Sequence, residues 1–270
     1  MMPSAHLPKL SDDEFRYLQQ IMLQVSGIKM ADSKRTLVAG RLMSRLRALD
    51  QGDFYEYVSF LRQPANEEER RLVVDLLTTN ETYFFREPQH FTFLGEWAAA
   101  RRGPLHLWSA ASSSGEEAYS MAMTLAEHAR TPHWSIFATD LSRRVLERAR
   151  QAIYPLDQAA QFPQGWLKSH CLRGVADYEG SFRIGQPLRH RVAFAELNLM
   201  RDLPEEVGPF EVIFLRNVLI YFNQEDKRSI VRRLVERLRP GGLLFIGHAE
   251  SLHGFQLPLR NVRPSVFERL

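Results

Sequence analysis

The 270-residue sequence predicts an α/β protein built in three parts. A small all-helical domain occupies residues 1–90, a mostly parallel sheet with flanking helices occupies 91–270, and an antiparallel β-subdomain is inserted at 155–190. Three observations carry this reading. Apolar residues recur at helical spacing through the first 100 residues. After Pro104, short apolar runs alternate with amphipathic stretches, the pattern of βαβ units in a parallel sheet. The stretch Pro155 to His190 is far longer than the about two to six residues of an ordinary connection in such units. The length itself favours one large domain with a smaller one attached.

The helical domain opens with Ser11-Asp12-Asp13-Glu14, which has capping-box spacing. Phe15, Leu18, Ile21, Met22 and Val25 follow on one face until Gly27 stops the helix. A second helix starts near Asp32 or Ser33 and places Val38, Leu42, Leu46 and Leu49 on one face. Beside that face Lys34, Arg41 and Arg45 form a stripe expected to face solvent. Asp53 to Gln63 and Asn66 to Thr79 give two more helices, with capping boxes expected at Asp53 with Glu56 and at Asn66 with Glu69. A further helix runs from Pro88 to a stop at Gly103-Pro104.

In the second part, strands are expected at Leu105 to Ala110, Trp134 to Thr139, Val192 to Leu197, Glu211 to Leu215 and Leu243 to Gly247, with Ser265 to Arg269 closing the sheet. Helices fit Glu116 to Ala129, Ser142 to Ala152 and Gln224 to Leu238, the last ended by Pro240-Gly241-Gly242. Within the insertion, Arg173-Gly174 and Glu179-Gly180 bracket a turn followed by Ser181-Phe182-Arg183-Ile184. That pattern predicts a small hairpin or three-stranded flap.

Composition excludes several classes. With 44% hydrophobic and 25% charged residues the chain is of ordinary globular type. The single cysteine, Cys171, forms no internal disulfide and fits a reducing compartment. The stretch Met1 to Phe15 lacks a basic segment followed by an apolar one, so no signal peptide is expected, and Asn80-Glu81-Thr82 is not expected to be glycosylated. The apolar run Val212 to Phe222 is too short for a bilayer and carries Arg216 and Asn217, so no membrane insertion is expected. The net charge of +3 and pI of 9.1 suggest nucleic acid until the charge is located. Residues 1–90 hold 12 Lys and Arg against 13 Asp and Glu, so the basicity there is confined to one helix between Ser33 and Leu49.

The loop Ser109-Ala110-Ala111-Ser112-Ser113-Ser114-Gly115 joins a strand to a helix through small side chains only, which allows a ligand close to the backbone. The following Glu116-Glu117 disfavours a phosphate and suits a ligand with a positive amine and sulfonium, such as S-adenosylmethionine. The two acids also read as a complement to the helix dipole. Asp140 ends the second strand 25 residues after Gly115, where an acid accepts hydrogen bonds from ribose hydroxyls; alone it reads equally as a helix N-cap. Asn198-Leu199 ends the third strand, either as a contact to an adenine edge or as a simple turn. Arg216-Asn217 ends the fourth, and an Arg inside the apolar run FEVIFLRNVLIYF requires a partner or ligand. The aromatic, polar segment Thr78 to Glu87 reads as a packed joint or as a lid.

The phrases TTNETYFFREPQHF, LHLWSAASSSGEEAYSMAMTL, IFATDLSRRVLERARQAIY, FLRNVLIYF and LRPGGLLFIGHAESL together resemble the CheR family of bacterial chemotaxis methyltransferases over nearly the whole chain. The resemblance implies a Rossmann-like class I methyltransferase domain that uses S-adenosyl-L-methionine and leaves S-adenosyl-L-homocysteine. It implies methylation of glutamate side chains on chemoreceptors by a cytoplasmic enzyme acting as a monomer. It further implies cofactor contacts from Asn80, Thr82, Arg86, Glu117, Asp140, Asn198, Leu199, Arg216 and Asn217, with Arg86 and Tyr221 bordering the reaction centre and no metal. The basic helix with Lys34, Arg41 and Arg45 resembles the one that such enzymes lay against acidic receptor methylation helices. The insertion resembles their β-subdomain, which in some members docks a receptor C-terminal pentapeptide. Here the turn Arg173 to Gly180 lacks a second internal glycine, which leaves that docking open. Three other readings make different demands. A nucleic-acid methyltransferase predicts salt-sensitive RNA binding, a non-catalytic adenosyl-binding module predicts binding without turnover, and a nicotinamide dehydrogenase needs a glycine-rich fingerprint that is absent.

Overall fold

A computed structural model describes residues 8–270. The first seven residues, part of the stretch read as lacking a signal peptide, lie outside the described residues. The described chain divides into two compact units, one running to Thr79 with Tyr221–Asn223 added, the other comprising Asn80–Ile220 and Gln224–Leu270.

In the first unit α1 (Asp12–Ser26) is preceded by the expected capping box. The Ser11 hydroxyl accepts from the Glu14 N–H at 3.4 Å, and the Glu14 carboxylate accepts from the Ser11 N–H at 2.7 Å. Gly27 ends the helix at φ 72°. A 3-10 turn, Asp32–Lys34, leads into α2 (Arg35–Ala48), which buries Val38, Leu42 and Leu46 at successive fourth positions. The bundle is completed by α3 (Phe54–Leu61) and α4 (Glu67–Leu77). The core includes Phe15, Leu18, Leu42, Phe54, Leu61 and Val73, all at most 1% exposed. Each such side chain contributes about 1.5–3 kcal/mol on burial.

Two local expectations fail here for one reason: partners elsewhere in the bundle outcompete local ones. Asn66 does not cap α4; its amide donates to the Phe60 carbonyl at 2.8 Å. Glu69, expected in that capping box, accepts both arms of Arg45 at 2.6 and 2.9 Å and the Tyr57 hydroxyl at 2.7 Å. Burial opposes the Glu69 charge, but the bonds from Arg45 and Tyr57 outweigh it and hold the carboxyl below its ordinary value. The cationic stripe therefore does not face solvent as a whole. Arg41 donates to the carbonyls of Leu76, Leu77 and Thr78 at the C-terminal end of α4, where orphan carbonyls attract a cation. Only Lys34 of the three is exposed.

The second unit begins with α5 (Pro88–Ala99) and proceeds through β1 (Leu105–Ala110), α6 (Glu116–His128), β2 (Trp134–Asp140) and α7 (Arg143–Gln151). Next come β3 (Ile153–Pro155), α8 (Trp166–His170), β4 (Cys171–Arg173), β5 (Ser181–Ile184) and α9 (Gln186–Arg189). The chain then returns to the main sheet as β6 (Val192–Glu196) and β7 (Phe210–Leu215), followed by α10 (Gln224–Glu236), β8 (Leu238–Ile246), β9 (Leu259–Arg263) and β10 (Val266–Arg269). The main sheet has the order β6-β2-β1-β7-β8-β10-β9; its first five strands are parallel and β10 runs antiparallel to both neighbours. The order reverses between β1 and β7, so the carboxyl ends of β1, β2, β6 and β7 surround the crevice where open α/β sheets bind ligands. Among the described residues no helix is long and apolar enough to cross a membrane.

Alternate residues Leu107, Ile136, Ala138, Val212, Phe214, Leu243 and Phe245 share one core with Tyr119, Met121 and Ala122 of α6. Phe84 and Phe85 join that core at 0% and 4% exposure, which is why the division falls after Thr79 and not after residue 90. The insertion forms a three-stranded antiparallel sheet, β3-β5-β4, joined to the same core through Tyr154, Phe182 and Ile184. Phe84 meets Tyr154 and Phe162 edge-on, each at 4.9 Å.

Pro240-Gly241-Gly242 does not stop a helix as expected. The helix ends at Glu236 and the three residues lie inside β8, whose pairing with β7 is irregular between Phe210 and Val212. The closing strand is one arm of a hairpin; β9 escapes the sequence reading because Leu259-Arg260-Asn261-Val262-Arg263 is an edge strand with no buried residue.

Candidate active site

The loop after β1 is shaped by three consecutive serines. Ser112 N–H donates to the Thr139 carbonyl at 2.8 Å, Ser113 N–H to Asp140 Oδ2 at 2.9 Å, and the Ser113 hydroxyl to the Asn80 carbonyl at 3.0 Å. Asp140 Oδ1 accepts from Ser142 N–H at 3.0 Å, and Ser142 itself caps α7. Asp140 thus ties two loops together instead of capping the helix. The Asp140 carbonyl accepts from the Leu197 N–H at 3.0 Å, which sets Asn198 and Leu199 beside the end of β2. Asn198 Oδ1 accepts from the Met200 N–H at 2.9 Å in a local turn.

Gly115, at φ 95°, is the one glycine this loop requires. A Cβ there would meet Ala149 Cβ at 2.9 Å and the Tyr154 hydroxyl at 3.0 Å. The two acids that follow part company. Glu116 turns inward, 2% exposed, and accepts from the Ser114 hydroxyl at 2.8 and 2.9 Å; burial raises its carboxyl above the ordinary value. Glu117 accepts from the Ser109 hydroxyl at 2.6 Å and from Arg216 at 3.0 Å.

Arg216 finds the partner its sequence context demands. Its side chain is 1% exposed and donates to Glu87 at 2.9 Å, to Glu117 at 3.0 Å and to the Arg86 carbonyl. Phe91 and Phe214 stand against the guanidinium at 5.5 and 5.6 Å. A buried cation needs such compensation. Its partners are two carboxylates of its own chain, which form an internal ion-pair triad around it. One cation between two carboxylates leaves a formal charge of −1, suited to a ligand carrying an amine and a sulfonium. Burial raises the Glu117 carboxyl, while Arg216 and Ser109 pull against it. Burial also works against the charge on Glu87, but bonds from Arg216, His248 N–H and the Asn217 amide prevail and hold it below the ordinary range.

His90, 2% exposed, is pushed down to about 4 by burial and by the Arg216 charge. Glu87, His90 and His248 bring ligand atoms within 4.8 Å of one another, a metal-like spacing. The Glu87 oxygens, however, already accept from Arg216, Asn217 and His248, so the cation that serves this carboxylate is the guanidinium.

Several loop residues hold left-handed conformations without being glycine: Phe85 (φ 54°), Glu87 (59°), Ala111 (67°), Ser113 (50°) and Asn217 (59°). Each costs about 1–3 kcal/mol, and such strain concentrates at functional sites.

Of the residues singled out from sequence, the structure joins Asn80 to Asp140 through Ser113, and joins Arg86, by its carbonyl, and Glu117, by its carboxylate, each to Arg216. Asn217 joins them through Glu87. Thr82 lies on the same segment as Arg86, whose guanidinium donates to the Glu81 carbonyl at 3.1 Å. Tyr221 ends the 3-10 turn Leu219–Tyr221 and groups with the helical unit. There it lines a cavity of about 150 Å³ with Lys34, Leu37, Val38 and Arg41. The sequence reading does not single out Glu87, although the aromatic segment that ends in it is an available signal. The carboxyl-edge loops, the close approach allowed at Gly115 and the net negative triad together fit S-adenosylmethionine.

Comparison with known proteins agrees. The CheR methyltransferase SAM-binding domain matches residues 80–266, and the CheR methyltransferase all-alpha domain matches residues 13–78. The chain is 44% identical to a chemotaxis protein methyltransferase of Salmonella typhimurium, covering 90% of this chain and 85% of the relative. It is 40% identical to chemotaxis protein methyltransferase 2 of Pseudomonas aeruginosa, over 99% of both, and 32% identical to a Borreliella burgdorferi chemotaxis protein methyltransferase over 96% and 95%. With both domains matched across most of its length, the chain belongs to the CheR methyltransferase family and is an S-adenosylmethionine-dependent methyltransferase.

Proposed function

We propose that the chain methylates glutamate side-chain carboxylates of methyl-accepting chemoreceptors, giving glutamate methyl esters in chemosensory adaptation. The observation that carries this reading is the state of the titratable groups at the carboxyl edge. Glu87, Glu117 and Arg216 are committed to one another, and His90 is buried and neutral at pH 7. A nucleophile that needs deprotonation calls for a poised base. A glutamate, with a reference pKa of about 4.3, is already ionised. When bound, S-adenosylmethionine supplies a methyl on a cationic sulfur, which a carboxylate oxygen accepts with no proton to move, leaving neutral S-adenosyl-L-homocysteine and an ester.

The chain's own residues bind and orient. Asn80, Thr82, Arg86, Glu117, Asp140, Asn198, Leu199 and Asn217 are the proposed cofactor contacts. Arg216 contributes through the carboxylates it holds, and Arg86 and Tyr221 are the residues proposed to border the reacting groups. Exposed Lys34 is the member of the basic stripe best suited to acidic receptor helices. In the β-subdomain, β4 is an edge strand. Leu172, Val175 and Tyr178 around it are 59%, 73% and 58% exposed, which supports docking of a receptor C-terminal peptide by strand addition. A cytoplasmic, monomeric enzyme is proposed with this reading.

Incubation with methyl-labelled cofactor and a receptor cytoplasmic fragment tests it. Mild alkali is expected to release the label as methanol. Alkali-stable label, or label in RNA, would overturn the assignment.

A further inference from the structure

Glu250 follows β8 and lies in neither helix nor strand. Its carboxylate is the point on which two loops converge. Oε2 accepts from the Gly247 N–H at 2.6 Å and from the Asn217 N–H at 3.0 Å, and Oε1 accepts from the Leu219 N–H at 2.7 Å. The Ile220 N–H also acts on this carboxylate. The backbone just past β7 has no ladder to satisfy these donors, and a buried donor left unmet is costly. Asn217 holds φ at 59° there, a conformation that persists in a non-glycine residue only when its surroundings impose it. Gly247 supplies the other half of the restraint. A Cβ at 247 would meet Asn217 Nδ2 at 2.5 Å and the Asn217 backbone nitrogen at 2.9 Å. The loop is therefore held by a carboxylate on one side and admitted by a missing side chain on the other.

We propose that Glu250, with Gly247, is a positioning residue for the cofactor: it fixes the backbone of residues 217–220 so that Asn217 is presented at the carboxyl edge, and it touches no substrate itself. The inference rests on the proposed role of Asn217 as a cofactor contact. Burial raises the Glu250 carboxyl, and the backbone N–H groups oppose that shift. Those groups are all donors, so an isosteric amide would turn its own NH2 toward one of them. Glutamine therefore keeps the shape and loses at least one bond.

The test uses the full chain carrying E250Q, with hydrogen exchange at the Asn217, Leu219 and Gly247 amides. S-adenosyl-L-homocysteine affinity is measured by calorimetry, alongside affinity for a receptor cytoplasmic fragment. We expect faster exchange at the three amides and cofactor-product binding at least tenfold weaker, with receptor affinity unchanged. G247A, whose Cβ would press hardest on Asn217 and also meet Glu250 Oε2 at 3.0 Å while keeping the carboxylate itself, is expected to reproduce that selective loss. Unchanged product affinity in E250Q despite exchanging amides would overturn the inference. So would an equal loss of both affinities, or failure of both variants to fold, since the carboxylate would then hold the fold and not the site. N217A separates the two layers. Unaltered product affinity in N217A refutes the contact role of Asn217 itself, whereas loss in N217A with none in E250Q refutes only the part given to Glu250.

Discussion

Arg216 and Glu117 are 99 residues apart in sequence and meet at 3.0 Å, joining the end of β7 to the first turn of α6. The contact matters because Glu87 closes the other side of the same guanidinium at 2.9 Å. Removing the cation while keeping its shape, as in Arg216→Met, leaves two carboxylates with no neutralising partner. Loss of one member of a buried ion pair costs about 3–5 kcal/mol. The expected result in denaturant unfolding is destabilisation in that range. Adding Glu117→Gln to Arg216→Met should recover part of it, because one stranded charge is then gone; a strictly additive double mutant would contradict the triad.

Acid should weaken the sheet unit in two stages. The folded-state pKa of His90 is lowered from 6.5 to about 4, so between those values the unfolded chain takes up a proton that the folded chain refuses. Stability therefore falls as pH drops from about 6.5 to 4, by roughly 3 kcal/mol for a shift of this size. Glu87 is also depressed, below the ordinary carboxylate value. Its contribution is present above that value and is lost as pH falls through the folded pKa, which extends the decline to lower pH. Unfolding measured from pH 7.5 to 4 should show the first slope, and His90→Leu should flatten it whatever its absolute stability. An unchanged slope in that variant would remove His90 as the cause.

The parallel strands and long helices were legible because each carries its own periodicity: Val38, Leu42 and Leu46 for a helix, and the unbroken run ending in Leu215 for a buried strand. The cap at Ser11 and the stop at Gly27 act locally and are legible for the same reason. What escaped was settled by distant partners. Glu69 has the spacing of a capping-box residue but faces Arg45, 24 residues away. Pro240-Gly241-Gly242 reads as a stop but sits in a strand paired with β7. At the site, Arg216 announced a need for compensation, yet nothing in the sequence said that Glu87, 129 residues earlier, would meet it. Glu250 was invisible for a related reason: its partners are backbone N–H groups, which carry no residue-specific signature.

Gly115 offers a test of the close approach in the first loop. At φ 95°, and with Ala149 Cβ 2.9 Å from where its own Cβ would lie, Gly115→Ala is strained twice over. The left-handed conformation alone costs about 1–2 kcal/mol for an L-residue, and relieving the contact moves the start of α6, on which Glu117 sits. Thermal unfolding should show a loss of at least that size, and S-adenosyl-L-homocysteine binding should weaken by an order of magnitude or more. Tyr154→Phe, which deletes only the hydrogen bond to the Ser114 carbonyl at 2.7 Å, should cost about 1 kcal/mol and change affinity far less.

The basic stripe of α2 divides into a structural part and a surface part, and two substitutions distinguish them. Arg45 makes a bidentate pair with Glu69 at 2.6 and 2.9 Å, with side chains 26% and 11% exposed, and Tyr57 shares the same carboxylate. Arg45→Ala should therefore act on stability, by about 1–3 kcal/mol, the range for a hydrogen bond to a charged group with its partner left partly buried. Receptor affinity at a temperature where the variant is folded should change little. Lys34 is exposed, so Lys34→Ala should leave the unfolding midpoint in place. If α2 meets acidic receptor helices, that same change should weaken receptor binding modestly at low salt and lose its effect as ionic strength rises, because an exposed charge is screened over about 8–10 Å. A receptor-binding defect in Arg45→Ala with no loss of stability would reverse this division and return the whole stripe to the interface.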